Sequence, residues 1–186
     1  GALVAAAAVA RPVLDRLVGR IEDRTNPVWP HDGAPVSVEA AALHDTLRVA
    51  DLHADSLLFG RDLMCRSTVG HVDVPRLIEG RVALQVLSMA VKTPSTLNYD
   101  RNDDRTDEIR KLALAKRWPP ATWFRLLPRV AHLAAQARRL EERSAGQFRL
   151  VTSAPGLAAY LALRERDPRV TAGLLSIEGA HGLDGD

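Results

Sequence analysis

A β-strand pattern that carries metal-binding residue types lies in the segment Arg48-Val49-Ala50-Asp51-Leu52-His53-Ala54-Asp55-Ser56. Side chains at positions i and i+2 of an extended strand point to the same side. His53 therefore projects together with Asp55, and also with Asp51. An imidazole and a carboxylate on one face at the end of a buried strand suit a divalent metal ion. Two ligands do not hold a catalytic metal, so other parts of the chain must supply the remainder.

Apolar runs that alternate with helical patterns surround this segment. Strands are predicted at 47–52, 82–91, 147–151 and 170–177. Helices are predicted from the N-cap Ser37 to Thr46, from Pro75 to just before Gly80, and over 104–118. A long helical region then runs to Arg143, with a bend or division at Pro128, and a last helix over 156–166 has Ser153 as its cap. The runs at 82–91 and 170–177 are typical of strands buried on both faces of a parallel sheet. The alternation predicts βαβ units, and hence an α/β fold.

The composition is that of an ordinary globular protein. The chain has 186 residues, of which 46% are hydrophobic, which is enough for one sizeable core. Its formal charge is only +2, with basic residues dispersed among acidic ones, and this argues against a nucleic-acid partner. Cys65 is the only cysteine, so neither an intrachain disulfide nor a zinc-finger spacing is present.

The N-terminal segment leaves two alternatives open. Residues 1–10 are apolar and rich in alanine, and arginines follow at regular intervals up to Arg24. This pattern fits the remnant of a membrane anchor or signal segment as well as it fits an amphipathic helix. A turn-rich stretch follows, so we separate an N-terminal helix and linker at 1–36 from a larger domain at 37–186. A membrane tether through this helix, and a cytoplasmic or membrane-associated location, stay open in the same way.

A second strand also ends in metal-binding residue types. Glu178-Gly179-Ala180-His181 follows the predicted strand at 170–177. The C-terminal ends of parallel strands meet at one edge of an α/β sheet, where functional groups gather. We therefore expect His53, Asp55 and Glu178 to lie together. One imidazole and two carboxylates suit zinc or a similar ion, and a carboxylate can bridge two metals.

Three blocks of this sequence resemble the membrane dipeptidase (renal dipeptidase) family of zinc peptidases. Asp51-Leu52-His53-Ala54-Asp55 resembles the D-x-H-x-D opening of that family, and residues 71–85, from His71 to Gln85, resemble its second block. Leu175-Ser176-Ile177-Glu178-Gly179-Ala180-His181 is similar to its E-G-G-H block, with Ala180 in place of the second glycine. The blocks occur in the family's order and cover the chain from about Leu47 to its end.

The resemblance implies an amidohydrolase-type (β/α)8 TIM barrel with two zinc ions, of which this chain would be the N-terminal part. His53 and Asp55 would bind one zinc, and Glu178 would be the catalytic carboxylate that bridges both. Asp51, His71 and His181 would shape the surroundings of the site. The implied reaction is zinc-dependent hydrolysis of dipeptides, in which a hydroxide between the metals attacks the peptide carbonyl. A dipeptide substrate and a homodimer are the expected partners.

The family takes its remaining metal-binding histidines from later strands, so the chain by itself is expected to be incomplete and inactive. Two alternatives to the dipeptidase stay open. One is a non-catalytic barrel relative that acts as a binding or structural module. The other is a mononuclear amidohydrolase that acts on another amide.

Overall fold

The computed structural model describes residues 19–30, 33, 35–96, 98–100 and 105–184. The alanine-rich segment, and with it the predicted N-terminal anchor, lies outside the described residues. The chain divides into two compact units, one made of residues 1–32 with 67–71 and the other of residues 33–66 with 72–186. The predicted boundary after residue 36 stays a prediction. Within the described residues, no helix has both the length and the apolar character that a membrane span requires.

The described part of the first unit is a helical segment at 19–25 followed by a short antiparallel contact. Pro27 and Val69 form an isolated β-bridge. On either side of it, Gly70 N donates to Asn26 O at 2.8 Å and Val28 N donates to Thr68 O at 2.9 Å. These backbone bonds explain why residues 67–71 belong with the N-terminal segment.

The second unit alternates strands with helices, as the sequence predicts. Its elements are α1 (Val38–Thr46), β1 (Val49–Ala54), α2 (Val74–Glu79), β2 (Val82–Ala90), α3 (Glu108–Ala115), α4 (Leu126–Arg143), β3 (Phe148–Val151), α5 (Ala154–Arg166) and β4 (Thr171–Glu178), with short 3-10 turns at Pro120–Thr122 and Ala180–Leu183. All strand pairs are parallel, in the order β1-β2-β4-β3. The α/β class and the parallel sheet are therefore confirmed. The place of β4 between β2 and β3 is a feature that simple alternation does not predict.

Side-chain caps fix where several helices begin. The Ser37 hydroxyl accepts a hydrogen bond from Ala40 N, and the Ser153 hydroxyl accepts one from Gly156 N, each at 3.1 Å. Such caps satisfy backbone donors that have no partner inside the helix. Both predicted N-caps are therefore confirmed, although α5 begins at Ala154 rather than at Gly156.

The main hydrophobic core lies between the sheet and α4. Leu133 and Ala137 of α4 are fully buried and belong to one cluster with Leu87 and Met89 of β2 and with Phe148 of β3. These α4 positions are four residues apart and so lie on one face of the helix. Gly173 of β4 makes room for this packing, because a Cβ there would lie 2.3 Å from Phe148 Cζ.

Three details of the predicted elements were wrong. Pro128 does not divide a helix, because α4 begins at Leu126 and the proline falls in its first turn, where the missing N–H is not needed. The first strand spans Val49–Ala54 rather than 47–52, so His53 lies inside it. The C-terminal half of β4 is partly exposed, whereas β2 is buried on both faces as predicted.

Candidate metal centre

His53, Asp55 and Glu178 lie together at the C-terminal edge of the sheet. His53 Nε2 is 3.4 Å from Asp55 Oδ2 and 3.6 Å from Glu178 Oε2. One ligand atom from each residue lies within 4.8 Å of the others. The convergence that the sequence predicts is therefore present, and the assignment of these residues as metal ligands stays a prediction.

Strand order explains how residues so distant in sequence meet. His53 is in β1 and Glu178 is the last residue of β4, and both strands pair with β2. Neighbouring strands are about 4.8 Å apart, so β1 and β4 are separated by roughly 10 Å. Long side chains can bridge that gap across β2 where β2 carries small residues. Its residues Ser88 and Ala90 pair with Ser176 and Glu178, respectively.

Ser88 is a contributor to the site that sequence reasoning missed. Its hydroxyl is buried and lies 3.5 Å from Glu178 Oε2, to which it donates. The signal in the sequence was a hydroxyl-bearing residue inside a strand whose only other polar residue is Gln85. It indicates a role at the site only once the pairing of β2 with β4 is known, because that pairing places Ser88 beside the end of β4.

The spacing and the chemistry of the three donors fit a divalent metal ion. Ligands about 2.0–2.1 Å from a tetrahedral zinc lie roughly 3.3 Å from one another. The two distances from His53 Nε2, 3.4 and 3.6 Å, are close to that value. Asp55 Oδ1 is buried and has no hydrogen-bond partner among the described residues. A cation bound by Asp55 would relieve the cost of burying this oxygen without a partner.

The side chain of Asp51 contacts the site at the backbone of His53. Its Oδ1 accepts a hydrogen bond from His53 N at 3.1 Å, in a part of β1 where the pairing with β2 shifts register. Asp51 thus supports the chain that carries His53. Gln85 pairs with Asp51 and is fully buried, and its Nε2 donates to Val86 O at 3.1 Å.

His181 lies just beyond the group of three. It belongs to the 3-10 turn Ala180–Leu183, and its imidazole lies against Gly179, where a Cβ would be 2.2 Å from its Cε1. Gly179 also has φ +90°, a conformation that glycine adopts without a steric penalty. The residue after Glu178 must therefore be glycine for this turn to form. His181 is not one of the three clustered donors among the described residues.

The second block of the resemblance has a structural role in part. Asp73 is buried and caps α2, where its Oδ1 accepts from Arg76 N at 3.0 Å and its Oδ2 pairs with the Arg76 guanidinium. His71 is exposed and belongs to the first unit, so its predicted role near the site stays a prediction.

Comparisons with known proteins found similar molecules among solved structures only. No protein-family model matches the chain, and no curated protein matches it. One similar structure is a dipeptidase described as a metallopeptidase of family M19, with 21% identity and a TM-score of 0.48, covering 74% of this chain and 38% of that one.

Another similar structure is a metallopeptidase from Rhodobacter sphaeroides, which is bound to a phosphinate mimic of the dipeptide L-Ala-D-Ala. It has 20% identity and a TM-score of 0.49, and the match covers 74% of this chain and 40% of that one. The chain thus spans about two fifths of either structure. Both of those proteins are described as metallopeptidases.

Proposed function

We propose that this chain carries the first metal-binding strands of a zinc-dependent hydrolase that cleaves dipeptides. The observation that carries the proposal is the convergence of His53, Asp55 and Glu178 from two strands onto one edge of the sheet. The order of the three sequence blocks supports the dipeptidase assignment over other metal-dependent hydrolases.

Each of the three side chains has a distinct part. His53 offers the lone pair of Nε2, and Asp55 offers a carboxylate whose buried Oδ1 lacks a partner among the described residues. Glu178 faces His53 and Ser88 through Oε2. Because a carboxylate has two oxygens, Glu178 would be able to hold one ion together with His53 and Asp55 and to share in holding a second. The two carboxylates together balance the charge of one divalent cation.

Zinc at such a site supplies Lewis acidity toward a carbonyl oxygen and acidifies a water molecule. The protein's own contribution is position. The paired strands β1, β2 and β4 hold the donors on rigid backbone, and Ser88 limits the rotation of Glu178 by its hydrogen bond. The partly exposed edge leaves Glu178 and His53 accessible to a substrate from solvent.

The three observed donors make one complete protein ligand set and part of another. Catalytic zinc sites commonly use three protein ligands with an open fourth position. This observation favours, as a second candidate, a mononuclear amidohydrolase that acts on another amide. The two candidates differ in the number of ions bound and in the substrate.

The test combines zinc stoichiometry with a substrate panel. We expect the purified protein to bind zinc, and Glu178→Gln to weaken both zinc binding and any hydrolysis of dipeptides. Glu165→Gln is the matched control, because Glu165 is an exposed carboxylate that pairs with Arg48 away from the site. Absence of zinc binding would refute the metal site.

Hydrolysis assays separate the remaining outcomes. Dipeptides, dehydropeptides and lactams are offered with added zinc. One bound zinc with preference for a substrate other than dipeptides would favour the mononuclear candidate. Zinc binding by the full-length protein without hydrolysis of any of these substrates would favour the non-catalytic binding module.

A further inference from the structure

Lys92 lies just beyond the C-terminal end of β2, the strand that separates the two strands carrying the candidate metal ligands. β2 ends at Ala90, and the Cα partner of Ala90 in β4 is Glu178. An extended residue advances the chain by about 3.3 Å, so Lys92 lies roughly 7 Å along the chain from the level of Glu178. Lys92 therefore belongs to the same edge of the sheet as His53, Asp55 and Glu178.

The neighbouring residue Val91 indicates the side of the sheet on which Lys92 projects. Val91 is fully buried and belongs to the core cluster between the sheet and α4. Consecutive side chains of an extended chain point to opposite faces, so Lys92 projects away from α4. Ser88, four residues earlier, shares that opposite face, where its hydroxyl contacts Glu178 Oε2. The alternation therefore places the side chain of Lys92 on the face that carries Glu178.

The backbone is anchored on both sides of Lys92. Val91 O accepts a hydrogen bond from Arg129 Nη1 at 2.5 Å, and Thr93 O accepts one from Glu108 N at 2.8 Å. Arg129 is fully buried, so water does not compete for its hydrogen bonds. The backbone position of Lys92 is thus set before any ligand binds, which lowers the entropic cost of binding one.

The ammonium group of Lys92 is available to a ligand. Within the part of the chain that the structure describes, Lys92 forms neither a hydrogen bond nor an ion pair, although the residue is partly buried. Burial of part of the side chain removes some of its hydration, and a nearby anion compensates that loss. The carboxylates of Asp55 and Glu178 face His53 instead. An anionic group of a bound ligand would therefore complete the surroundings of Lys92.

We propose that Lys92 binds the α-carboxylate of the dipeptide substrate. The inference rests on the proposed function and adds to it a residue that distinguishes a dipeptide from an uncharged amide. The α-carboxylate of a dipeptide is one residue away from the peptide carbonyl, and one residue spans at most about 3.6 Å. A substrate whose carbonyl lies at the proposed metal ligands therefore presents its carboxylate at the same edge of the sheet. A lysine suits that carboxylate, because hydrogen bonds between ionised groups are stronger than neutral ones.

Steady-state kinetics of the full-length protein with alanyl-alanine and with alanyl-alanine amide test this inference, because the amide lacks the negative charge. We expect Lys92→Met to raise KM for alanyl-alanine about 10-fold or more, since it removes a charged donor. KM for the amide, or its inhibition constant if it binds without being cleaved, should stay within about twofold. The zinc affinity of Lys92→Met should equal that of the unsubstituted protein.

Two further variants make the kinetic test specific. Lys92→Arg keeps a cation at this position and should retain most of the preference for alanyl-alanine over its amide. Lys111→Met is the matched control, because Lys111 is an exposed lysine on α3 that pairs with Glu108. It should leave KM for both compounds unchanged.

The possible failures of the inference and of the proposed function are distinguishable. An unchanged KM in Lys92→Met, or an equal rise for alanyl-alanine and its amide, would overturn the role of Lys92 and leave the dipeptidase proposal intact. Weaker zinc binding by Lys92→Met would overturn it as well, because Lys92 would then support the metal site. Absence of hydrolysis by the unsubstituted full-length protein would overturn the proposed function and this inference with it. Circular dichroism spectra that match the unsubstituted protein exclude misfolding of the variants.

Discussion

Replacing Asp55 with asparagine should separate metal binding from folding. The substitution keeps the shape of the side chain and removes its negative charge. In the metal-free protein, ligand oxygens of Asp55 and Glu178 lie within 4.8 Å of each other. Two like charges at this distance repel by about 1 kcal/mol in water and by about 3 kcal/mol at an effective dielectric constant of about 20. The side chains are 37% and 54% exposed, so solvent screening keeps the repulsion near the lower figure.

We therefore expect Asp55→Asn to leave the metal-free protein as stable as before, or more stable by up to about 1 kcal/mol. Its zinc affinity should fall by at least about 100-fold, because loss of a residue that merely supports a ligand already costs 10- to 100-fold. Urea unfolding of the metal-free protein measures the first quantity. Competition with a chromophoric chelator measures the second.

Asp45→Asn is the control for charge removal, because Asp45 pairs with Arg81 outside the metal cluster. The reasoning fails if Asp55→Asn binds zinc as tightly as the unsubstituted protein. It also fails if the variant loses more than about 1 kcal/mol of stability without metal, because Asp55 would then act as a structural residue.

Three further substitutions test the packing of the core and two charged groups of the fold. Gly173→Ala places a methyl group 2.3 Å from Phe148 Cζ in the core, so we expect a loss of about 1–3 kcal/mol in urea unfolding. Arg129→Met removes a fully buried guanidinium that donates to three backbone carbonyl groups and pairs with a carboxylate, so we expect a loss of about 3–5 kcal/mol in the same assay. Arg143→Gln changes the pH dependence of stability, because the hydrogen bond from Arg143 holds the pKa of Asp62 below its ordinary value. A depressed carboxyl pKa adds stability above the unfolded value, and this is lost as pH falls through the folded value. The stability difference between the unsubstituted protein and Arg143→Gln should therefore be present at neutral pH and vanish in strong acid, as unfolding midpoints across that range would show.

Different outcomes would contradict these three expectations. A Gly173→Ala protein of unchanged stability would mean that the Phe148 ring moves aside freely. A loss below about 1 kcal/mol for Arg129→Met would show that water replaces the guanidinium. A stability difference for Arg143→Gln that persists in strong acid would assign the role of Arg143 to packing rather than to its pairing with Asp62. Gly19→Ala is a control for the glycine substitution, because its added Cβ would meet nothing within 4 Å.

The helices, the strands and the types of residue at the site could be predicted from the sequence, because they depend on interactions between residues close together in the chain. Capping serines, proline and glycine at helix ends, and apolar runs act over a few residues, so they can be found without the fold. The strand that carries His53 and the one that ends in Glu178 were identified in this way. The proximity of His53 and Glu178 was predicted from the rule that parallel strands end at one edge of a sheet. The resemblance of three sequence blocks to the membrane dipeptidase family then predicted a reaction class for the residues at that edge.

Only the tertiary structure decided which strands are neighbours and what lies between them. The pairing of β2 with both β1 and β4 brings the donors within reach, and it places Ser88 beside Glu178. A cleft of about 420 Å³ depends equally on long-range packing, because its lining comes from the loop after β1, the end of α3 and one face of α4. Strand order and helix packing arise from contacts between residues far apart in sequence, and no pattern along the chain encodes such contacts locally.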